Sequence, residues 1–543
     1  MEVAGTRPGA ARLPVGRFNA WAIAGLVVAA GVVAPLIVVI GAWFSPRVGE
    51  LWDITHSILG DVVGNTAIVA GGVGACTLIL GTALAGLVSF YDFPGRRWLD
   101  WALVLPLAIP AYVLAFVYLG WLGPGSELPL RSPAGAVAML SLATYPYVYV
   151  LGRASFRGQS RNLIEAARSL GVRRSRAIVQ VALPLARPAL AAGALLAVME
   201  ALADFGTVQL LGVKTFTVAI YQVWFGAFDR LAASQLASFL MLITLLILFA
   251  ERALRGRQRY TQSDAGAPVE RVRLHGVKAW VATVFPLIVL AIAFAGPVVQ
   301  LVSWALDSWD DPLVRDGFGT WARNSFMLGT IAALIVVPTA LVLVYGLRLA
   351  PSRLNRVSAR LATVGYGVPG SVVAVGVLLS LAWVDHRIQD LGEVAGVSVG
   401  LLFTGSALGM VFAYVVRFLA LAFQPLEAQM ERLSPNLDDA ARGLGADRLE
   451  VMWRVHLPLL RVALLSGALL VFVETIKELP ATVLLRPLGG DTLATAVWQS
   501  TSESLWRAAA PPAVAIIAVA LVPVIVLVRT LERSGDAVTM AQR

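Results

Sequence analysis

The chain has a single cysteine, few histidines and few lysines. Cys76 stands alone among 543 residues, so no disulfide framework and no thiolate metal site can form within the chain. The four histidines are scattered and include no His-Glu-x-x-His motif. None of the three lysines follows a glycine, which excludes a phosphate-binding Walker A loop. We therefore expect no catalysis and no cofactor on this chain, and the sequence leaves open whether it binds a metal.

Charged side chains are also scarce. They make up 14% of the residues against 58% hydrophobic ones, whereas a soluble domain has about 25% charged residues. Apolar runs of about 20 residues are typical of membrane-spanning helices, and their continuity favours helices over a barrel. We predict an all-α membrane protein with about twelve transmembrane helices. Their predicted cores are residues 20–43, 63–90, 99–121, 134–152, 188–211, 233–250, 279–306, 326–347, 359–384, 397–422, 462–485 and 510–529.

The net charge of +10 reflects topology more than partner choice. Most of the 43 Lys and Arg residues fall in the N-terminal segment, alternate loops, the centre and the C-terminus. That distribution follows the positive-inside rule and places both termini in the cytoplasm. We expect contact with membrane lipid and no binding to nucleic acid.

One charged segment occurs twice. Residues 165–190 and 439–464 align at an offset of 274, with 13 identities among 26 positions. We predict two parallel six-helix repeats, residues 1–250 and 279–543, each with a cytoplasmic loop, 160–187 and 434–461. Parallel repeats build many transporters around a pseudo-two-fold axis. Residues 251–278 are basic around a Gln-Ser-Asp-Ala-Gly-Ala-Pro stretch and predict a cytoplasmic linker, with a lipid-headgroup contact as the alternative.

Each repeated loop has helix-ending signals. Ser160 and Ser434 suit the N-cap of a short helix. Gly171 and Gly445 stand where a left-handed C-terminal turn requires glycine. Upstream, Asn-Thr at 65–66 and Asn-Ser at 324–325 predict the start of the second helix in each half.

The loops carry an alanine pair, a glycine four residues later and a distal Leu-Pro. This pattern resembles the coupling motif of permease subunits of ATP-binding-cassette importers. The matching residues are Glu165, Ala166, Ala167 and Gly171 in the first copy, and Asp439, Ala440, Ala441 and Gly445 in the second. Asp439 departs from the family's glutamate. The resemblance implies a coupling helix in each loop that docks on an ATPase.

Residues 203–229 and 477–499 look like the corresponding segments of ferric-iron importer permeases, which are often fused two-half chains. Related polyamine, thiamine and phosphonate permeases share parts of this pattern. The resemblance implies a permease of a bacterial inner membrane, most similar to those for ferric iron. It also implies two copies of a separate cytoplasmic ATPase and a periplasmic or lipid-anchored substrate-binding protein.

Five charged residues fall within or at the end of apolar runs: Glu200, Asp204, Glu474, Lys477 and Glu478. A charge in the bilayer costs about 2.5–3.5 kcal/mol on insertion scales, so these residues need a structural or functional reason. One hypothesis places them along the translocation pathway or its gate. The other is structural pairing, since Glu474 and Lys477 are three residues apart on one helix. Gly206 and Pro480 are predicted to break the two spans nearby.

Two other classes of protein are alternatives. A twelve-span secondary transporter explains the topology, but it does not explain the duplicated loops. A membrane scaffold without transport activity predicts no charge within the spans.

Overall fold

The computed structural model describes residues 20–540, apart from 45–47, 124–128, 159–166, 168, 259–270, 395 and 397–399. These residues are almost entirely helical. The two short strands they include, β1 (Tyr91–Asp92) and β2 (Val272–Arg273), pair in parallel. The predicted all-α membrane class is confirmed.

The first half contains ten helices among the described residues. They are α1 (Ala20–Gly41), α2 (Val48–Phe90), α3 (Arg96–Ala102), α4 (Ala111–Leu122), α5 (Pro133–Arg157), α6 (Arg174–Ala177), α7 (Leu183–Ala203), α8 (Gly206–Leu210), α9 (Phe216–Phe225) and α10 (Arg230–Gln258). A π-helical turn, Ile178–Ala182, joins α6 to α7.

The second half repeats this order, and a π-helical turn, Ala291–Ala295, lies within its continuous first span, Gly276–Asp307. Its described helices are α11 (Gly276–Leu290), α12 (Gly296–Asp307), α13 (Pro312–Leu349), α14 (Arg353–Ala362), α15 (Gly370–Val394), α16 (Ala407–Glu431), α17 (Pro435–Gly443), α18 (Arg448–Val451), α19 (Leu457–Lys477), α20 (Pro480–Leu485), α21 (Leu493–Ser502) and α22 (Ala510–Met540). A further π-helical turn, Met452–His456, precedes α19.

Ten helical segments of the described chain are long and apolar enough to cross a membrane. A pair of helices bent by 90°, Arg96–Ala108 and Ala111–Leu122, adds an eleventh. The shorter apolar segment Ala510–Val526 lies where the twelfth span is predicted. The arrangement agrees with about twelve spans, one of them sharply broken.

The break in the third span is caused by proline. Pro110 precedes α4 with an extended backbone, and Ile109 before it is also extended. Pro369, 259 residues later, precedes α15 in the same way, and Val368 is extended. Proline disfavours a helical conformation in the residue before it. In each half of the chain, one helix therefore ends before this proline and another begins after it.

The first span of each half packs against the other half. Val32, Leu36 and Val39 of α1 share a core with residues of α13, α15 and α16. In return, Val289 and Leu290 of α11 share a core with residues of α2 and α5. The two repeats are therefore interlocked and do not sit as separate bundles.

The asparagine motifs do not start helices, so that prediction is wrong. Asn65 and Asn324 lie well inside α2 and α13, because the preceding loop residues are helical as well. Their neighbours tie each long helix to a short one. Thr66 Oγ1 accepts from the backbone N–H of Phe216 (3.3 Å), and Ser325 Oγ accepts from that of Leu493 (2.8 Å).

The predicted linker is partly regular structure. Helix α10 continues to Gln258, and the chain returns through β2 to α11 at Gly276. Residues 259–270 lie outside the described residues.

Candidate functional site: a charged chamber between the halves

All five charged residues predicted within the spans line one cavity of about 130 Å³. We call this cavity the chamber. Its wall also contains Arg417 of α16, together with Tyr112, Thr144 and Tyr147 from the first half. Four carboxylates and two cations thus face each other at the junction of the repeats.

Two equivalent breaks in the helices bring the acids to the chamber. Helix α7 ends at Ala203 and α19 at Lys477, and the next residues, Asp204 and Glu478, have matching extended backbones. Short helices then begin at Gly206 and Pro480. The prediction that these two residues mark breaks is confirmed.

Each acid at a break caps the short helix that follows. Asp204 accepts from the backbone N–H of Val208 (3.1 Å) and from Thr207 Oγ1 (2.8 Å). Glu478 accepts from the backbone N–H of Ala481 (3.0 Å). A carboxylate at a helix N-terminus satisfies orphan N–H groups and the helix dipole, which explains why acids are tolerated here.

The second half neutralises its acids with cations. Arg417 Nη1 lies 2.7 Å from Glu478 Oε1, and Lys477 Nζ lies 2.9 Å from Glu474 Oε1. The predicted Glu474–Lys477 pair therefore exists, and both members line the chamber. The Arg417–Glu478 pair lies over Gly370, where a Cβ atom would collide with both side chains.

Glu200 is held differently. Its Oε1 accepts a hydrogen bond from Tyr147 Oη at 3.4 Å, and within the described residues it forms no ion pair. Its side chain is half-buried and faces the acids of the second half across the chamber. Glu200 is the acid with the weakest local compensation.

A second cavity of about 240 Å³ adjoins the chamber. It is lined mainly by polar and aromatic side chains, including Arg131, Gln209, Trp498 and Trp506, and we call it the vestibule. Tyr112 and Gly206 line both cavities. A Cβ atom on Gly206 would lie 2.7 Å from Tyr112 Cβ and 2.8 Å from Leu479 Cδ2. These three residues form a tight septum between chamber and vestibule.

The chamber is acidic without being a chelating site. Among the residues that the structure describes, no three His, Cys, Asp or Glu side chains are close enough to hold a metal ion. Its geometry suits transient electrostatic contact with a cation, because conduction requires binding that is weak enough to release.

Sequence reasoning missed Arg417, Tyr112 and Tyr147. Arg417 interrupts the apolar run at 411–423, and a lone guanidinium in such a run is a usable signal. The two tyrosines carry no comparable signal, because an aromatic residue in an apolar helix is ordinary core.

The second repeated loop, residues 434–461, contains the predicted short helix and left-handed turn. Helix α17 starts after Ser434, whose Oγ accepts from the backbone N–H of Asn436, and it ends before Gly445. Gly445 has φ 90°, and the N–H of Ala446 donates to the carbonyl of Ala441 (3.1 Å). This is a Schellman turn.

The first loop shares that turn. Gly171 has φ 83°, and the N–H of Val172 donates to the carbonyl of Ala167 (3.1 Å). Ser160, Glu165 and Ala166 lie outside the described residues.

Helix α17 buries none of its residues. Asp439 and Ala440 are exposed, Ala441 is half-buried, and Leu444 is 90% exposed. Leu170, its counterpart in the first loop, is 85% exposed. The two leucines at these equivalent turns therefore both lie outside the hydrophobic cores.

The architecture defines a membrane transport subunit: duplicated spans, a charged chamber at their junction, and exposed helical loops. A family comparison makes the class specific. Residues 77–260 and 325–534 match the family described as binding-protein-dependent transport system inner membrane component, once in each half. The chain belongs to this family.

Several curated relatives narrow the comparison. A Fe(3+)-transport system permease protein of Haemophilus influenzae is 29% identical over 491 residues, covering 89% of this chain and 90% of the relative. A ferric transport system permease protein of Actinobacillus pleuropneumoniae is 23% identical over 465 residues, 78% of this chain and 64% of the relative. A sulfate transport system permease protein of Escherichia coli is 28% identical over 195 residues, only 33% of this chain and 70% of the relative.

Proposed function

We propose that this chain is the permease of an ATP-driven importer for ferric iron, and that the chamber is part of the translocation pathway. The observation that carries the proposal is the charge of the chamber. With all six side chains ionised it holds four negative and two positive charges. Such a site favours a hard cation, for which oxygen ligands are preferred.

The charge of the chamber also bears on sulfate, the substrate named for the Escherichia coli relative. Sulfate is an anion, and a chamber with excess carboxylate repels it. The two ferric transport relatives match 89% and 78% of this chain, whereas the match to the sulfate relative covers only 33% of it. The negative charge of the chamber and the long sequence matches to ferric transport relatives thus both favour ferric iron as the substrate.

In the proposed cycle, two copies of a cytoplasmic ATPase bind the coupling loops at residues 165–171 and 439–445. A substrate-binding protein delivers iron to the vestibule on the opposite face. ATP-driven movement of the loops opens the septum at Tyr112, Gly206 and Leu479, and iron passes the acids of the chamber. Both termini are cytoplasmic in a bacterial inner membrane, as the positive-inside distribution of Lys and Arg supports.

The test is reconstitution. Liposomes containing this chain, its ATPase and its binding protein should accumulate Fe³⁺ only when ATP is supplied on the coupling-loop side. Sulfate and molybdate serve as competing substrates in the same vesicles. Accumulation of either anion with no uptake of Fe³⁺ would overturn the iron assignment.

A further inference from the structure

The second coupling helix is tied to the body of the protein by a network around Asp438. Arg348 Nε lies 3.1 Å from Asp438 Oδ2, and Arg348 Nη2 lies 3.2 Å from Oδ1. His456 Nε2 lies 2.8 Å from the same Oδ1. Asp438 stands in the first turn of α17, so its carboxylate joins the coupling helix to two other elements.

Those elements are the end of α13 and the start of α19. Arg348 also donates to the carbonyls of Leu433 (2.9 Å) and Ser434 (3.2 Å), the residues just before α17. His456 is 1% exposed, and its Nδ1 lies 3.2 Å from Tyr345 Oη on α13. We call Tyr345, Arg348, Asp438 and His456 the clamp.

The first half has none of these four side chains at the aligned positions. At the offset of 274, Ile164 corresponds to Asp438 and Ala182 to His456. At the offset of 259 that aligns the preceding helices, Gly86 corresponds to Tyr345 and Ser89 to Arg348. A bidentate arginine–carboxylate pair with a buried imidazole cannot form from these side chains.

The first half instead has an ionic cluster in another place. Asp100 on α3 pairs with Arg153 and Arg157, both on α5. Their counterparts in the second half are Ala359, Glu427 and Glu431, which cannot reproduce the cluster. Each half thus has ion pairs that join neighbouring helices. The described contacts of the cluster in the first half involve no residue of the coupling loop.

The clamp is connected to the chamber by one helix. His456 immediately precedes α19, a helix of 21 residues that ends at Lys477. At 1.5 Å per residue the helix is roughly 30 Å long, enough to cross a membrane. Glu474, Lys477 and Glu478 at its far end are chamber residues.

We infer that the two coupling loops are mechanically unequal, and that the clamp makes α17 the loop that transmits ATPase movement along α19 to the chamber. The inference rests on the proposed ATP-driven function. Asp438, Arg348 and His456 act as positioning residues, because they do not contact the substrate. The first loop cannot form the same clamp, because Ile164 and Ala182 stand at the positions aligned with Asp438 and His456.

The decisive measurement is Fe³⁺ transported per ATP hydrolysed by the reconstituted complex. Asp438→Asn and His456→Ala should each lower this ratio at least about fivefold, within the range of ordinary coupling free energies, while the ATPase stays bound. Asp100→Asn is the matched control, since it breaks the other ionic cluster and should leave the ratio unchanged. Glu450→Gln, which removes an exposed pair with Arg454, is the second control.

A spin-label experiment tests the clamp without ATPase or substrate. In a Cys76→Ser background, a label on Leu444→Cys should gain mobility when Asp438→Asn is added. A label on Leu170→Cys should not change with that substitution. If Asp438→Asn leaves the mobility of the label at position 444 unchanged, the clamp is overturned, even if transport fails. If the mobility increases but the reconstituted complex transports no iron, the clamp is supported and only the proposed substrate is rejected. An equal fall in the transport ratio for Asp100→Asn would also overturn the inequality of the loops.

Discussion

Glu478 pairs with Arg417 at 2.7 Å, but its repeat counterpart Asp204 has no arginine at the equivalent place, because Ala143 occupies the position aligned with Arg417. Both cations of the chamber, Arg417 and Lys477, therefore belong to the second half. The first half contributes acids alone. The duplicated scaffold thus carries an asymmetric charge distribution at its centre.

Removing one partner of the Arg417–Glu478 pair should strongly destabilise the protein, because it leaves the other charge buried without compensation. The two side chains are only 13% and 4% exposed, and removing one partner of such a pair costs about 3–5 kcal/mol. Arg417→Met and Glu478→Leu should each lower the melting temperature in detergent, and the double variant should recover most of the loss. The exposed pair Arg387–Asp390 is the control, since its removal should change little.

Glu200→Gln should reduce Fe³⁺ uptake while leaving abundance and thermal stability near wild type. The reason is that Glu200 has a hydrogen bond from Tyr147 and no ion pair among the described residues to lose. Glu474→Gln should reduce uptake as well. If the double variant Glu474→Leu/Lys477→Met transported normally, pairing alone would explain those two residues, and the pathway role of Glu474 would be rejected.

Gly206→Ala should block transport through the septum. Its new methyl group would lie 2.7 Å from Tyr112 Cβ, a contact that neither backbone can relieve easily. The expected result is normal ATPase retention with loss of uptake. Gly86→Ala on α2 is a matched control, because no atom lies within 4 Å of the added Cβ. Normal uptake by Gly206→Ala would remove the septum from the pathway.

Gly171→Val and Gly445→Val should weaken ATPase retention without preventing membrane insertion. Nothing lies within 4 Å of a Cβ at either position, so the effect comes from the left-handed backbone, which costs about 1–2 kcal/mol for a residue with a side chain. Co-purification of the ATPase measures the effect. Gly443→Ala, two residues upstream in α17 and equally open, should leave retention intact.

The clamp should persist through mild acid. Burial raises the pKa of Asp438, but hydrogen bonds from Arg348 and His456 outweigh it and lower the pKa below the usual 3.8. A carboxylate with a lowered pKa stabilises the fold above its unfolded pKa, and that contribution is lost as pH falls through the folded value. The spin label at Leu444 should therefore keep its mobility from pH 8 to about pH 5 and gain it only below about pH 4. A gain near neutral pH would mean that another group controls the attachment.

Much of the fold could be predicted because helices that cross a membrane need long apolar segments, and these are visible in the sequence. Apolar runs located the spans, and the breaks at Gly206 and Pro480 followed from residues that interrupt helices. The five charged residues were found because charge is conspicuous in an apolar run, and the structure brings all of them to one cavity.

Other features depend on contacts between distant segments. The helical start of α2 and α13 precedes the asparagines, because polar residues outside the apolar run continue the same helix. The packing of α1 against the second half has no local signature. The clamp could not be predicted either, because its four residues come from three separate elements. Taken singly, each resembles an ordinary loop or helix-end residue.

The packing of each first span against the other half also affects the order in which the protein assembles during synthesis. Helix α1 leaves the ribosome about 300 residues before α13 and α15, the helices that cover Val32, Leu36 and Val39. At 5–20 residues per second, this is a delay of roughly 15–60 seconds. During that time the face of α1 that these helices later cover lacks its protein neighbours. The first half is thus a partly assembled bundle until translation of the second supplies its missing neighbours.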